Sequence, residues 1–383
     1  MMRRKLLVKT LVLLLASAGC CSAAHAQSVT LYGTVDTGVE YVTHANATGG
    51  SVFRMPSYTG EFPSRVGLQG NEPLGGGYKA VFTLEEGFSV GNGVLSQGGR
   101  LFGRQAFVGV SGAPGTLTFG RQYNILLWTL IDSDLVGPSM YGLTSLDPYI
   151  ANARSDNAVV YRGSFGNFSV GASYSFGRDN SPTGGTNAPG EGTCAGSIPG
   201  NAQACREWSA MVKYGTPAWG ASFVYDQQNG GPGAAANLFN GDIPVPLTSS
   251  SDHDNRFILD GYAKFGNLKL AALWVGRHVD FASGQGAGVT SNQYVFEAAY
   301  QVAPDFVVDG LVQRIINSQQ DTRATMEVLR ATYLLSVRSS VYVQCGWLQN
   351  SAKAAYVVTS GGPATPGKGM GQFGTMVGIR HDF

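Results

Sequence analysis

Three short stretches combine residue types that could do chemistry. Gly87-Phe88-Ser89-Val90-Gly91 has the spacing of a nucleophile elbow, where a serine on a strained strand-to-helix turn attacks an acyl carbon. The stretch GQGAG at 284–288 has the glycine density of a dinucleotide loop. His253, between Asp252 and Asp254, offers donors for a metal or for proton transfer. Each chemistry needs an element to position it. A Gly-rich loop rather than a helix follows Ser89, and in a chain with 54 Gly a chance match is the simpler reading. No strand and helix flank 284–288, and the five His show no metal-ligand spacing, so His253 reads as a solvated loop residue. No enzyme, no cofactor and no metal site is expected, with Ca²⁺ at loop acids the one open alternative.

The first residues set the compartment. Arg3, Arg4, Lys5 and Lys9 precede the short apolar run Leu11–Leu15, and Ala24-His25-Ala26 fits a small-x-small cleavage site. That is the pattern of a secretory signal over 1–26, too short for a spanning helix. The Ser17-Ala18-Gly19-Cys20 stretch lacks the Leu usual three residues before a lipidated cysteine. With the signal removed, 22 of the 26 Lys and Arg face 25 Asp and Glu, a net of −3. Nothing basic enough for nucleic acid remains. Of the five Cys, Cys194, Cys205 and Cys345 survive processing, and in an exported chain a disulfide between the first two is expected. Cys345 lies in a strand pattern and reads as a small apolar filler.

No stretch after residue 26 is apolar for the length of a spanning helix, and no helical period is sustained. Two-residue alternation is sustained. Phe168, Val170, Ala172, Tyr174 and Phe176 alternate with Ser169, Gly171, Ser173 and Ser175. Trp219, Ala221, Phe223 and Tyr225 do so against Gly220, Ser222, Val224 and Asp226. The apolar sides are tipped by Tyr or Trp and the others are small or polar, which suits a lipid-facing exterior with aromatic girdles and a wet interior. Sixteen such strands can be placed between 28–42 and 372–383. Short connections such as NEPLGG (71–76), TPA (216–218) and GN (266–267) alternate with long ones at 123–153, 179–205, 229–253 and 350–371. An even number of antiparallel strands closes without an unpaired edge. The fold class expected is all-β, a 16-stranded antiparallel transmembrane barrel over 27–383.

The chain resembles the general porins of the Gram-negative outer membrane, nearest the trimeric beta-proteobacterial type. The likeness is carried by SVTLYGTVDTGVEY (28–41), SRVGLQGNEPLGGGYKAVFTLEEGF (64–88), GRLFGRQAFVGVSGAPGTLTFGRQY (99–123), RSDNAVVYRGSFGNFSVGASYSFG (154–177) and VGIRHDF (377–383). It implies a homotrimer in outer-membrane lipid, passing ions and small hydrophilic solutes by diffusion. A substrate-specific channel is the alternative, and a barrel enzyme a remoter one. The last strand ends on Phe383, which the resemblance makes an insertion signal for the outer-membrane assembly machinery.

The resemblance also implies that loop 123–153 folds inward, so that Asp132, Asp134 and Asp147 face basic residues on the wall. Wall candidates are Arg65, Arg104, Arg154 and Arg162. Parity supports several of them: Val66 and Leu68 read as outward, turning Arg65 inward, and Ser155, Asn157, Val159 and Tyr161 read as one face, turning Arg154 and Arg162 to the other. Arg104 shares parity with Ala106 and Val108, so only the resemblance places it inward. Arg121 reads as an interface or loop-root residue, and Lys79 and Glu85 read as lumen-facing.

Overall fold

The computed structural model describes residues 28–56, 60–150, 153–177, 194, 196–234, 246–282 and 288–383. The expected signal at 1–26 and most of the 284–288 stretch lie outside them. Alternation along the chain becomes one antiparallel sheet of strands β1 (Ser28–Val42), β2 (Val52–Arg54), β3 (Arg65–Gly75), β4 (Tyr78–Gly87), β5 (Gln105–Gly112), β6 (Gly115–Tyr123), β7 (Arg154–Phe165), β8 (Phe168–Ser175) and β9 (Glu207–Gly215). It continues through β10 (Trp219–Asn229), β11 (His253–Phe265), β12 (Leu268–Asp280), β13 (Val289–Ala303), β14 (Phe306–Asn317), β15 (Thr322–Leu334), β16 (Ser339–Asn350) and β17 (Gln372–Asp382). Sixteen of these make a closed wall, and β2 is a three-residue addition against the far end of β1.

Closure runs through β1. One of its edges pairs with β17 from Thr34 opposite Asp382 to Val42 opposite Gly374, and the other pairs with β3 from Ser28 opposite Asn71 to Thr34 opposite Arg65. Gly33 and Phe383 exchange backbone hydrogen bonds of 3.0 Å in both directions. The Phe383 ring and the Arg65 carbonyl lie where a side chain at residue 33 would have to go, so only glycine fits there. With no open edge in the wall, backbone N–H and C=O groups are satisfied without water, the condition for crossing lipid.

Several expected boundaries move. The stretch 71–76 is not a loop, because β3 runs to Gly75 and β4 starts at Tyr78. Gly76 and Gly77, with φ of 59° and 82°, turn the chain in a conformation open mainly to glycine, so pairing continues up to them. β5 starts at Gln105 rather than near residue 100, after a 3₁₀ turn at Gln97–Gly99. A short helix, α1 (Ile125–Leu130), opens the long loop after β6; six residues are too few for a helical period to show in the sequence.

The outer surface is apolar and uneven in kind. Strands β8–β16 expose Phe168, Tyr174, Trp208, Trp219, Phe223, Phe257, Phe265, Tyr294, Phe296, Tyr300, Tyr333 and Trp347. β1, β3, β5 and β6 expose mostly aliphatic side chains, including Val29, Leu31, Leu68, Val108, Val110 and Leu117. The buried apolar cluster lies inside the wall: Leu126, Val136, Met140, Tyr141, Leu143, Leu146, Tyr149 and Ile150 of the loop pack against Val224, Ile258, Val295 and Met326 of the strands.

Candidate functional site

The loop between β6 and β7 fills part of the lumen, and its path is fixed by polar contacts with the wall. Asn124 caps α1 by accepting from the Leu126 N–H at 3.2 Å, and its own amide donates to Asp226 of β10 at 3.0 Å. Ser133 donates to Asp260 of β11 at 2.5 Å. The Leu135 and Val136 N–H groups donate to Glu297 of β13 at 2.6 and 2.9 Å. Ser139 donates to Gln344 of β16, and the Tyr141 hydroxyl donates to Glu40 of β1 at 2.8 Å. A buried chain of ions completes the attachment. Arg256 of β11 donates through Nε and Nη2 to Asp147 at 3.0 and 3.3 Å, and Nη1 lies 3.2 Å from Asp254. Arg277 of β12 grips Asp254 bidentately at 2.9 and 2.7 Å. The loop is therefore held against β10–β16 and β1.

Opposite this attachment, on β3–β7, cations predominate. The Glu85 carboxylate of β4 sits between Arg104 Nε at 2.8 Å and Arg65 Nε at 3.5 Å, and accepts from the Tyr32 hydroxyl at 2.9 Å. Tyr123 Oη accepts from Arg104 Nη2 at 2.6 Å and from Arg154 Nη2 at 2.7 Å, and the Arg154 guanidinium lies 4.5 Å over the Tyr123 ring. Arg162 stacks 3.6 Å over the Trp128 ring of α1 and carries no ion pair among the described residues.

The expected residues thus take different positions. The Arg65 side chain keeps 23% exposure and Arg162 is half-buried, so both reach the water of the lumen. Arg104 and Arg154 are 6% and 3% exposed, which corrects the reading of them as solvated wall bases: they lie behind Arg65, packed on Tyr123. Arg104 turns toward Glu85 even though the parity of β5 would send it outward, because it stands just before that strand begins. Ser155 also departs from its expected face. It donates to the buried Glu207, because Asn157 adopts φ 50° and the β6–β7 register slips there, resetting the alternation. Arg121 stands at a loop root, bound to Asp156 at 2.8 Å and to the Gly103 carbonyl at 2.6 Å. Lys79 is exposed at the start of β4, on the parity of Glu85.

Among the three loop acids Asp132 keeps 43% side-chain exposure, Asp134 is half-buried, and the partner of Asp132 is Lys213 of β9 at 2.5 Å, not an arginine of β3–β7. Asp134 accepts from the Gly137 N–H at 3.0 Å within its own turn, and burial pushes its carboxyl up to about 6 against the pull of Arg330. Asp147 is 3% exposed beneath Arg256. The picture of three acids facing the arginine wall is corrected accordingly: Asp132 pairs with Lys213, Asp134 braces its own turn and Asp147 fastens the loop to β11. Sequence reasoning missed Tyr123, Arg256, Arg277 and Asp254. For Asp254 and Arg256 a signal existed, since Asp254, Arg256, Ile258 and Asp260 share one face of β11 opposite exposed Phe257 and Leu259.

Cys194 and Cys205 are joined in the structure, Cα atoms 5.5 Å apart, and lie beside Gly231 of the next long loop. Cys345 is half-buried with Sγ 3.2 Å from Thr375 Oγ1. No group of described residues could hold a metal ion.

A family model described as Gram-negative porin matches residues 10–353. The chain is 31% identical to an outer membrane porin protein of Bordetella pertussis, over 90% of this chain and 95% of that protein. It is 28% identical to outer membrane porin protein 32 of Delftia acidovorans, over 98% and 99%. Among solved structures it is similar to an anion-selective porin from Comamonas acidovorans, with a TM-score of 0.74 and 25% identity over 94% of this chain and all of that one.

Proposed function

The chain belongs to the Gram-negative porin family, and from that premise we propose that its pore passes small anions in preference to cations. It is an integral outer-membrane barrel through which solutes diffuse passively. The observation that carries the preference is the unequal exposure of charge in the lumen. Arg65 and Arg162 meet the water, while Asp226, Asp260, Glu297 and Asp147 on the other side are buried and hydrogen-bonded to the loop or its anchors. A cation-lined gap in a low-dielectric frame concentrates counter-charge, so anions enter more readily than their bulk share. The anion-selective porin of Comamonas acidovorans, similar over most of its length, points the same way. The pore works by field and width alone, with no covalent step. In a planar bilayer under a KCl gradient the reversal potential should lie toward the chloride equilibrium potential; a value toward that of potassium overturns the reading.

Assembly follows from the outer surface. The aliphatic exterior of β1, β3, β5 and β6 suits packing against identical barrels, and the aromatic exterior of β8–β16 suits lipid. We infer a homotrimer; a native mass of one barrel in mild detergent would exclude it. Phe383, locked against Gly33 in the closing pair, is the side chain offered to the assembly machinery. Its deletion should cut outer-membrane insertion while export continues, and an unchanged membrane yield would refute that role. The Cys194–Cys205 bond should persist in the native protein, where thiol reagents should label neither residue.

A further inference from the structure

At the short-turn end of the barrel lies a cavity of about 460 Å³, bounded by Asp132, Thr216, Tyr262, Lys264, Lys269 and Gln301. Its charge is unusual for a sheet. Lys264 of β11 and Lys269 of β12 are directly opposite each other in the register, and like charges so placed repel. Both share the parity of buried inward residues, Lys264 that of Asp260 and Ile258, Lys269 that of Ala271 and Leu273. Among the described residues no carboxylate forms an ion pair with either. Lys269 Nζ lies 4.5 Å over the Tyr262 ring, which holds it over the cavity, and the Tyr262 hydroxyl is itself fixed by donating to the Thr216 carbonyl at 2.7 Å. The one acid in the lining, Asp132, is claimed by Lys213 at 2.5 Å. Asp260, on the same face of β11 as Lys264, accepts from Ser133 and Ser222 at 2.5 and 2.6 Å. Two positive charges, the exposed Lys264 and the half-buried Lys269, therefore line one open cleft whose single lining acid, Asp132, is already paired with Lys213.

We propose that this cavity is a binding site for a compact multivalent oxyanion of the phosphate kind, whose oxygens bridge Lys264 and Lys269. The shape of the repulsion selects the ligand. A monovalent ion neutralises one ammonium and leaves the other, whereas a dianion offers acceptors to both and turns a repelling pair into two charge-assisted contacts. The site lies at the short-turn rim, the periplasmic end of such barrels, past the arginine wall for a solute coming from outside. It would hold an arriving oxyanion briefly before release. This rests on the anion preference proposed above, yet the two can fail separately.

Inorganic phosphate added to one side of a bilayer should reduce single-channel chloride current, more strongly from the side facing the short turns. The pair Lys264→Gln with Lys269→Gln should raise the half-blocking concentration about tenfold or more and remove the asymmetry, since two charge-assisted contacts are lost. Lys264→Glu alone should do the same by giving Lys269 a partner. Unheated migration of each variant in gels checks that the barrel is intact. Arg65→Ser should leave the asymmetry in place, and its loss there would move the site to the arginine wall and overturn the proposal. Unchanged block in the lysine variants overturns it too, even if chloride is preferred. Potassium preference with lysine-dependent phosphate block would instead sink the selectivity reading and keep the site. Methyl phosphate in place of phosphate tells whether an ester is accepted: block by both extends the site to phosphate monoesters, and block by phosphate alone restricts it to the free ion.

Discussion

The two inner walls of this barrel differ in which of their charges they leave in water. On β3–β7, Arg65 and Arg162 keep contact with water, and Arg104 and Arg154 back Arg65 through Glu85 and Tyr123. On β10–β15 the carboxylates of Asp226, Asp260, Glu297 and Asp309 are nearly or wholly removed from water, the first three accepting from the inward loop and the last from Arg330. Acids and bases are almost equal in number along the chain, so the total predicts no selectivity. What a passing ion meets depends on which charges remain solvated, because a buried and hydrogen-bonded carboxylate has its field largely answered on site. The loop thus acts twice, as the narrowing element and as the group that covers the acidic wall.

If that division is right, detaching the loop should do most damage. Arg256→Ala would leave Asp147 and Asp254 in a buried space without the guanidinium they share. Removing one partner of a buried ion pair costs roughly 3–5 kcal/mol. Thermal unfolding should move to lower temperature, and single-channel conductance should rise as the loop leaves the wall and uncovers acids. Arg256→Lys keeps the charge but not the bidentate grip on Asp147, and should fall between the two. A normal conductance in Arg256→Ala would mean that the loop holds its place without this anchor.

A smaller effect separates the two kinds of arginine. Arg65→Ser removes a charge that ions meet, and should shift the reversal potential toward cations with little change in stability. Arg154→Ser removes a buried guanidinium that donates to Tyr123, and should cost about 1–3 kcal/mol by leaving that hydroxyl short of a partner, with a weaker shift in potential. Equal shifts from both substitutions would mean that exposure is not what sorts them, and the contrast between the walls would lose its basis.

That contrast was only partly legible in the sequence. The sixteen wall strands followed from alternation alone, since the lumen and the lipid impose a two-residue period with nothing to interrupt it. The charged inward face of β11 lay in the same alternation but was missed, and its role as the loop's anchor depends on Asp147, more than a hundred positions away. Parity failed where the backbone breaks it: Asn157 at φ 50° resets β7, and Arg104 precedes its strand. The inward course of the loop came only from resemblance, because its buried leucines have no period and their partners are spread over strands from β10 to β1. Which acids were solvated could not be read from residue type at all.

The finest test lies within the loop, where Asp132 and Asp134 stand two residues apart in opposite circumstances. Asp132 is 43% exposed and shares its charge with Lys213, so Asp132→Asn frees a cation near the short-turn mouth. Reversal potential should move slightly further toward chloride, and the change should fade as salt rises, because the Debye length is already about 10 Å at 0.1 M. Asp134 is tied to the Gly137 N–H, a contact that Asn can also accept, so Asp134→Asn should leave the potential where it was. Its effect should appear in stability instead. Burial raises the Asp134 carboxyl to about 6, so its protonated form is favoured in the fold. Such a group contributes its full increment below the ordinary carboxylate range and loses it as pH climbs through about 6. Between pH 7 and pH 5 the native protein should therefore gain stability relative to Asp134→Asn. A potential shift from Asp134→Asn as large as that from Asp132→Asn, or parallel stability curves across that pH range, would show the two acids to be equally solvated and the covering role of the loop to be wrong at this turn.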